Sequence, residues 1–368
     1  MAFASYPERL MSSKGSVLVA MSGGVDSSVA AYLLLEQGFE VVGSHMQLVH
    51  LEGVEHGCCG PAARADAAEV ASIAGFPFEI CDLTLDFDEH VIDDFVTEHE
   101  AGRTPNPCAR CNGEIKFGAF LRRADELGID RVATGHYVRS ERAPDGSWRL
   151  LRGFDRSKDQ SYMLHMLGQR ELSRAIFAVG GLAKTETRAL AERFGLPVAS
   201  KPDSQELCFA PSGDAGRFLG QIAPHLMREG EVVDMDGRVL AHHGGAAAFT
   251  VGQRRGLGVS GPEPSYVLEV DAAANRVIVG PGELLARRGL IADRLSWVAG
   301  SAPAAGPFEA EVKIRYRGDE VPAVIELECD RMRIEFRTPQ RGVAPGQSVV
   351  AYRGEELLGG GRILGSFR

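Results

Sequence analysis

The 368-residue chain contains no run of about eighteen consecutive apolar side chains, the length a helix needs to cross a bilayer. Its first residues are not expected to form a secretory leader. Met1 to Lys14 carries charges of both signs and no apolar block, and reads as a short disordered leader. No internal repeat or low-complexity linker interrupts the sequence. Positive charge is nearly absent from the first hundred residues, which hold 3 basic and 17 acidic side chains, whereas residues 101–368 hold 37 basic and 33 acidic. The net charge of -10 therefore lies in the first hundred residues and gives a nucleic acid no bulk steering, so any RNA must meet local patches later in the chain. Without an export signal, the expected location is cytoplasmic. There the seven cysteines are expected as thiols or metal ligands rather than structural disulfides.

With 44% hydrophobic and 24% charged residues, the composition is that of a globular protein, and the length implies two or three domains. Ser16 to Ala20 reads as a buried strand, Asp26 to Gln37 as a helix closed by Gly38, and Phe39 to His50 as a second strand. Helical and strand-like segments then alternate: Pro61 to Ala74, Phe78 to Leu83, Phe87 to Glu100, Glu114 to Leu127 and Arg131 to Thr134. That alternation predicts an α/β domain built on a doubly wound parallel sheet, with ligands beyond the carboxyl ends of its strands. Ala183 to Phe194 is a further helix, followed by an irregular stretch to Pro211. Beyond it the texture changes to Gly-rich strands with hairpin signals such as Val233 to Val239. From about Leu290 there are only short strands, as in a small barrel or sandwich. The expected domains are 14–211, 212–286 and 287–368, the last a β-barrel.

Ser22-Gly23-Gly24-Val25-Asp26-Ser27-Ser28 follows the first strand and opens the first helix. Two glycines let backbone N–H groups converge on a phosphate, three hydroxyls add donors, and the helix dipole favours an anion. Asp26 is unusual in such a cradle unless it caps the helix or holds a magnesium ion. The loop has no lysine and is not a Walker sequence. It resembles the Ser-Gly-Gly-x-Asp-Ser loop of ATP pyrophosphatases, which cleave ATP between the α- and β-phosphates.

Among the cysteines, Cys111 stands just before the helix expected at Glu114, with Arg103, Arg110 and Lys116 nearby, a setting that lowers a thiol's pKa. Cys208 follows a polar, irregular run from Lys201 in which a thiol can be reached. Cys81 and Cys329 lie in strand-like runs and read as small buried hydrophobes. Cys58-Cys59 stays undecided.

With these residues the chain resembles the bacterial tRNA-specific 2-thiouridylase family from about Ser16 to Arg362. The matching motifs include Thr104-Pro105-Asn106-Pro107, Cys111-Asn112, Gly135-His136-Tyr137, Lys158-Asp159-Gln160-Ser161-Tyr162, Asp203-Ser204-Gln205 with Cys208-Phe209, Val251 to Gly258, Arg315-Tyr316-Arg317-Gly318 and Pro339 to Gln347. The resemblance implies an adenine nucleotide α-hydrolase-like first domain and a transferase that converts the wobble uridine of tRNA to 2-thiouridine. ATP, with Mg2+, would adenylate the uracil 2-oxygen, and a persulfide from a donor protein would replace it. ATP contacts carry over to Ala20, Met21, Ser22, Gly23, Gly24, Val25, Asp26, Ser27, Met46 and Gly135. Cys208 would carry the persulfide, and Cys111 would release the sulfur or form a transient disulfide with Cys208. Asn106, Pro107 and Cys108 would meet the target base. Lys158, Asp159, Gln160, Arg315 and Tyr316 would meet tRNA.

The better-known form of the family has Asp where this chain has Cys108, and a thiol could replace it as a base only when deprotonated. The change creates Cys108-x-x-Cys111, which with Cys208 would suit an iron–sulfur cluster with one open iron. Two competing readings explain less. An amide-forming ATP pyrophosphatase would share the loop but needs an ammonia supply, and no glutaminase segment is present. A non-catalytic tRNA-binding or sulfur-carrier protein would have no use for the ATP loop.

Overall fold

The structure, a computed structural model, describes residues 14–49, 60–203, 207–210 and 215–368. Cys58, Cys59, Ser204, Gln205 and most of the expected leader lie outside the described residues.

The first domain is organised around strand β1, Ser16–Ala20, whose apolar side chains are buried. Strand β2, Glu40–Gln47, pairs parallel on one side of β1, and β3, Phe78–Asp82, lies outside β2. On the other side β1 pairs with β4, Arg131–Ala133, and the short strand Ala175–Ile176 completes the sheet, every pair parallel. The chain therefore leaves β1 outward to β2 and β3 and returns past β1 to β4, which makes the β1–β4 gap the topological switch point. Helices cover both faces. Helix α1, Val25–Glu36, and α2, Pro61–Ala74, share one apolar cluster with the helix Lys184–Arg193. On the opposite face Phe87, Phe95, Phe117 and Phe120 build the other cluster, which also takes in Cys111, while Cys208 packs against it.

One helix begins earlier than the sequence suggests. Pro107–Arg110 is already α-helical, a π-helical stretch Cys111–Ala119 follows, and Phe120–Glu126 continues it. Proline at the first helical position is pre-set for the turn and wastes no N–H, while Asn106 caps the end by accepting from the Ala109 N–H at 3.2 Å. Cys108 thus occupies the first turn, and Cys111 is buried a turn further on, rather than standing ahead of the helix.

The middle domain is a four-stranded sheet, Gly230–Val233, Val239–His243, Ser265–Asp271 and Arg276–Pro281, around Val232, Val267, Val277 and Val279. Its first hairpin is the one expected at Val233 to Val239, with Gly237 at φ 81°. The last domain is a barrel rather than a sandwich. Ala286–Trp297 pairs with Arg331–Arg341 on one side and with Glu356–Phe367 on the other, closing a ring of six antiparallel strands. The hairpin Val138–Arg142/Trp148–Arg152, which follows β4, adds to that ring through Leu150 and Leu151 against Leu357 and Glu356.

Candidate functional site

The glycine loop lies at the carboxyl end of β1, in the switch-point crevice. Gly23 takes φ 68°, and a Cβ there would come within 2.1 Å of the Ala63 carbonyl, so only glycine fits. Ala20, Met21, Val25 and Ser27 are buried, whereas Ser22 is exposed at the tip. The Ser27 and Ser28 hydroxyls donate to the Gly24 carbonyl at 3.2 and 2.9 Å, and Ser27 Oγ stands 3.3 Å from Ser22 Oγ. Gly135, on the turn after β4, closes the other wall. A Cβ on it would sit 2.6 Å from the Ser27 nitrogen. Met46 is half-buried near the end of β2.

Asp26 does not cap helix α1, whose end carries no side-chain cap. Its carboxylate accepts from Lys184 Nζ at 2.7 and 2.8 Å and from the Tyr137 hydroxyl at 2.8 Å. Burial raises the pKa of the Tyr137 phenol, keeping it a donor. Lys184 also meets Asp203 at 2.8 Å, and Asp203 accepts further from Lys158 and Arg188. Burial alone would raise the Asp203 pKa, but the Lys184 and Lys158 hydrogen bonds outweigh it and hold the carboxyl below its ordinary value. A second lysine, Lys201, donates to the Gly23 carbonyl at 2.9 Å and to Asp66 at 2.5 Å. The loop that lacks a lysine in sequence therefore has two in space. Sequence reasoning misses both because they lie 158 and 178 residues from their partners.

The cysteine region lies where the three domains meet. The Thr104 hydroxyl donates to Thr250 of the middle domain at 3.1 Å, and its N–H donates to Pro345 of the barrel at 2.8 Å. The Asn106 carboxamide caps the helix through its oxygen and donates to Ser348 Oγ at 3.3 Å through its nitrogen. Pro107 is buried and Cys108 half-buried. Cys208 is half-buried beside Phe209, whose ring packs at 5.3 Å on Phe95 and 5.9 Å on Phe87.

One cysteine expectation needs correction. Cys329 is exposed, at φ 58° in a hairpin turn, because the strand it seems to continue ends at Glu328. Among the described residues no group of three or more His, Cys, Asp or Glu side chains is arranged to hold a metal ion. Cys81 is buried as expected, and burial first, then Glu79, raises its thiol pKa to about 11.

Of the expected tRNA contacts, Arg315 is exposed and Lys158 half-buried, whereas Asp159 faces inward. Its carboxylate accepts from the Gly153 and Ser161 N–H groups and the Ser161 hydroxyl. Gln160 accepts from the Tyr137 N–H at 2.9 Å. Tyr316 is half-buried with its ring 6.2 Å from that of Tyr162. Burial, then the charge of Asp159, raises the pKa of its phenol, and Cys108 adds a smaller push in the same direction.

The family model described as tRNA methyl transferase HUP domain matches residues 15–212. Those described as tRNA methyl transferase PRC-barrel domain and aminomethyltransferase beta-barrel domain match 216–281 and 287–363. The tRNA-specific 2-thiouridylase MnmA of Geobacter metallireducens is 50% identical over 355 residues, spanning 94% of this chain and 96% of the relative. That of Heliobacterium modesticaldum is 47% identical over 358 residues, spanning 95% of this chain and 93% of the relative.

Proposed function

This chain belongs to the tRNA-specific 2-thiouridylase family, and from that membership we propose how its residues exchange oxygen for sulfur on a tRNA uridine. The enzyme is a sulfurtransferase that uses ATP. Its nucleotide lies in the crevice between β1 and β4, with the pyrophosphate over Ser22 to Ser27 and Lys184 and Lys201 supplying the positive charge. The placement of those two lysines on the loop, Lys184 through Asp26 and Lys201 through the Gly23 carbonyl, is the observation that carries the reading. Asp26, already committed to Lys184 and Tyr137, orients the lysine, and a magnesium ion travels with the ATP phosphates.

The uracil 2-oxygen of the wobble uridine attacks the α-phosphorus and pyrophosphate leaves. The terminal sulfur of a Cys208 persulfide, loaded by a donor protein, then attacks C2, and AMP departs with the oxygen. The Cys111 thiolate attacks Cys208 Sγ, which frees the thiocarbonyl and leaves a Cys111–Cys208 disulfide for an external reductant. Cys111 and Cys208 share one apolar cluster, which supports the pairing. Asn106, Pro107 and Cys108 border the target base, and Lys158, Gln160, Arg315 and Tyr316 border the tRNA.

Purified protein proved free of iron is expected to form 2-thiouridine in tRNA from ATP and a persulfide donor, read by nucleoside mass spectrometry, with one AMP released per base. Cys208→Ser should abolish the product while tRNA-dependent pyrophosphate release continues. Thiolation that appears only after iron and sulfide are restored would refute the persulfide route.

A further inference from the structure

The segment that carries Cys108 and Cys111 is not held by its own domain alone. Barrel residues 345–348 close over it in four places. The Pro345 carbonyl accepts from Thr104 N–H, Gln347 Nε2 donates to the Thr104 and Pro105 carbonyls at 2.9 and 3.1 Å, and Ser348 Oγ receives the Asn106 carboxamide. Ser348 is 5% exposed and is fixed from a third direction. Its Oγ lies 3.1 Å from His165 Nε2, and its carbonyl accepts from the Tyr162 hydroxyl at 2.8 Å. Burial pushes the His165 pKa down to about 4, so at neutral pH the ring is an uncharged hydrogen-bonding partner.

The contacts are not equivalent. Gln347 and Pro345 hold peptide groups before the helix, whereas Ser348 holds the one side chain that caps it. Asn106 gives its oxygen to the Ala109 N–H while its nitrogen donates to Ser348 Oγ and, more weakly, to Met163 Sδ at 3.6 Å, and Cys108 is the second residue of the turn so formed. We propose that Ser348 is a positioning residue for thiolation: acting through Asn106, the barrel hydroxyl sets the helical turn that places Cys108 and, one turn on, Cys111. The proposal rests on the reading that this turn borders the reacting base. Small errors in placing reacting groups are expensive, up to about a hundredfold for 1 Å.

With both substrates saturating, Ser348→Ala in the full-length protein should slow tRNA thiolation about tenfold, equivalent to about 1.4 kcal/mol of barrier. The KM values for ATP and for tRNA should stay within about twofold of wild type. If Ser348 acts through Asn106, Ser348→Ala added to Asn106→Ala should slow turnover no further, a non-additivity that two independent structural losses would not give. A readout free of catalysis is the alkylation rate of Cys108 by iodoacetamide, followed by peptide mass spectrometry, which should change several-fold in Ser348→Ala. Unchanged turnover and alkylation in Ser348→Ala, beside a wild-type enzyme that thiolates tRNA, would overturn the positioning role alone. Additive losses in the double variant would overturn the route through Asn106. A wild-type protein that makes no thiolated uridine, yet whose Cys108 alkylation responds to Ser348→Ala, would leave the clamp standing and remove the catalytic reading.

Discussion

Lys201 touches the backbone of the glycine loop at one end of its ammonium and Asp66 at the other. It is half-exposed, so its loss should spare the fold and fall on the nucleotide. Lys201→Met is expected to raise the KM for ATP about tenfold, the equivalent of one charge-assisted hydrogen bond, measured by pyrophosphate release. A KM within about twofold of wild type would show that the ammonium only props the loop. Histidine chemistry makes a separate prediction. Burial lowers the pKa of His99, His136 and His165, the last to about 4, from an ordinary 6.5. Below pH 6.5 the unfolded chain binds protons that the folded chain refuses, so stability is full above that pH and declines as pH falls towards 4. His165 alone accounts for on the order of 3 kcal/mol by the bottom of that window. A thermal midpoint that stays level from pH 7 to pH 5 would contradict this. Glu98, Asp203 and Asp293 have lowered pKa values, so their contributions fade only as pH falls below the ordinary carboxyl values of 4.5 and 3.8.

The hairpin Val138–Arg142/Trp148–Arg152 joins the nucleotide domain to the barrel, and Arg152 is its anchor. The side chain is 1% exposed, lies 3.7 Å over the Tyr352 ring, donates to Glu320 at 2.5 Å and stands 3.8 Å from Asp159. Arg152→Met would leave the Asp159 carboxylate buried without its cation and should destabilise the protein by about 3 kcal/mol, read from the urea midpoint. A loss below about 1 kcal/mol would mean the Gly153 and Ser161 bonds satisfy Asp159 unaided. Elements of this kind also show what a sequence can and cannot disclose. Helix α1 and its loop are legible because strand, turn and helix follow one another within about twenty residues. The helix at Pro107 is hidden behind Thr-Pro-Asn-Pro, which reads as a loop. Its signal is an asparagine cap followed by proline at the first helical position. The hairpin's role is not legible, since its partner strand lies some 200 residues away. Lys184 reads only as part of a helix, because nothing local says that its ammonium reaches Asp26.

At the scale of the molecule, charge and shape divide the labour. The first hundred residues hold 3 basic side chains against 17 acidic, and the side chains proposed to border the tRNA backbone come from Lys158 onward. Association with tRNA should therefore weaken as salt rises, with a shallow slope set by a handful of phosphate contacts. A binding constant indifferent to salt between about 50 and 200 mM would argue against that division. Ion pairs also lock the first domain to the barrel. Glu98, 1% exposed, receives both Arg103 and Arg362, and Asp94 receives Arg294. Burial would raise the Glu98 pKa, but the Arg103 hydrogen bond and the Arg362 charge prevail and lower it.

The clamp from residues 345–348 has a bearing on how the protein is made. Asn106 and Ser348 are 242 residues apart, and a ribosome adding about 5 to 20 residues per second needs about 12 to 48 s to pass from one to the other. For that interval the nascent chain already carries the glycine loop, β1 and the cysteine segment, while the hydroxyl that completes the Asn106 tie has yet to be translated. A chain stalled before Pro345 carries the nucleotide loop but none of the barrel residues Pro345, Gln347 and Ser348 that hold Thr104, Pro105 and Asn106.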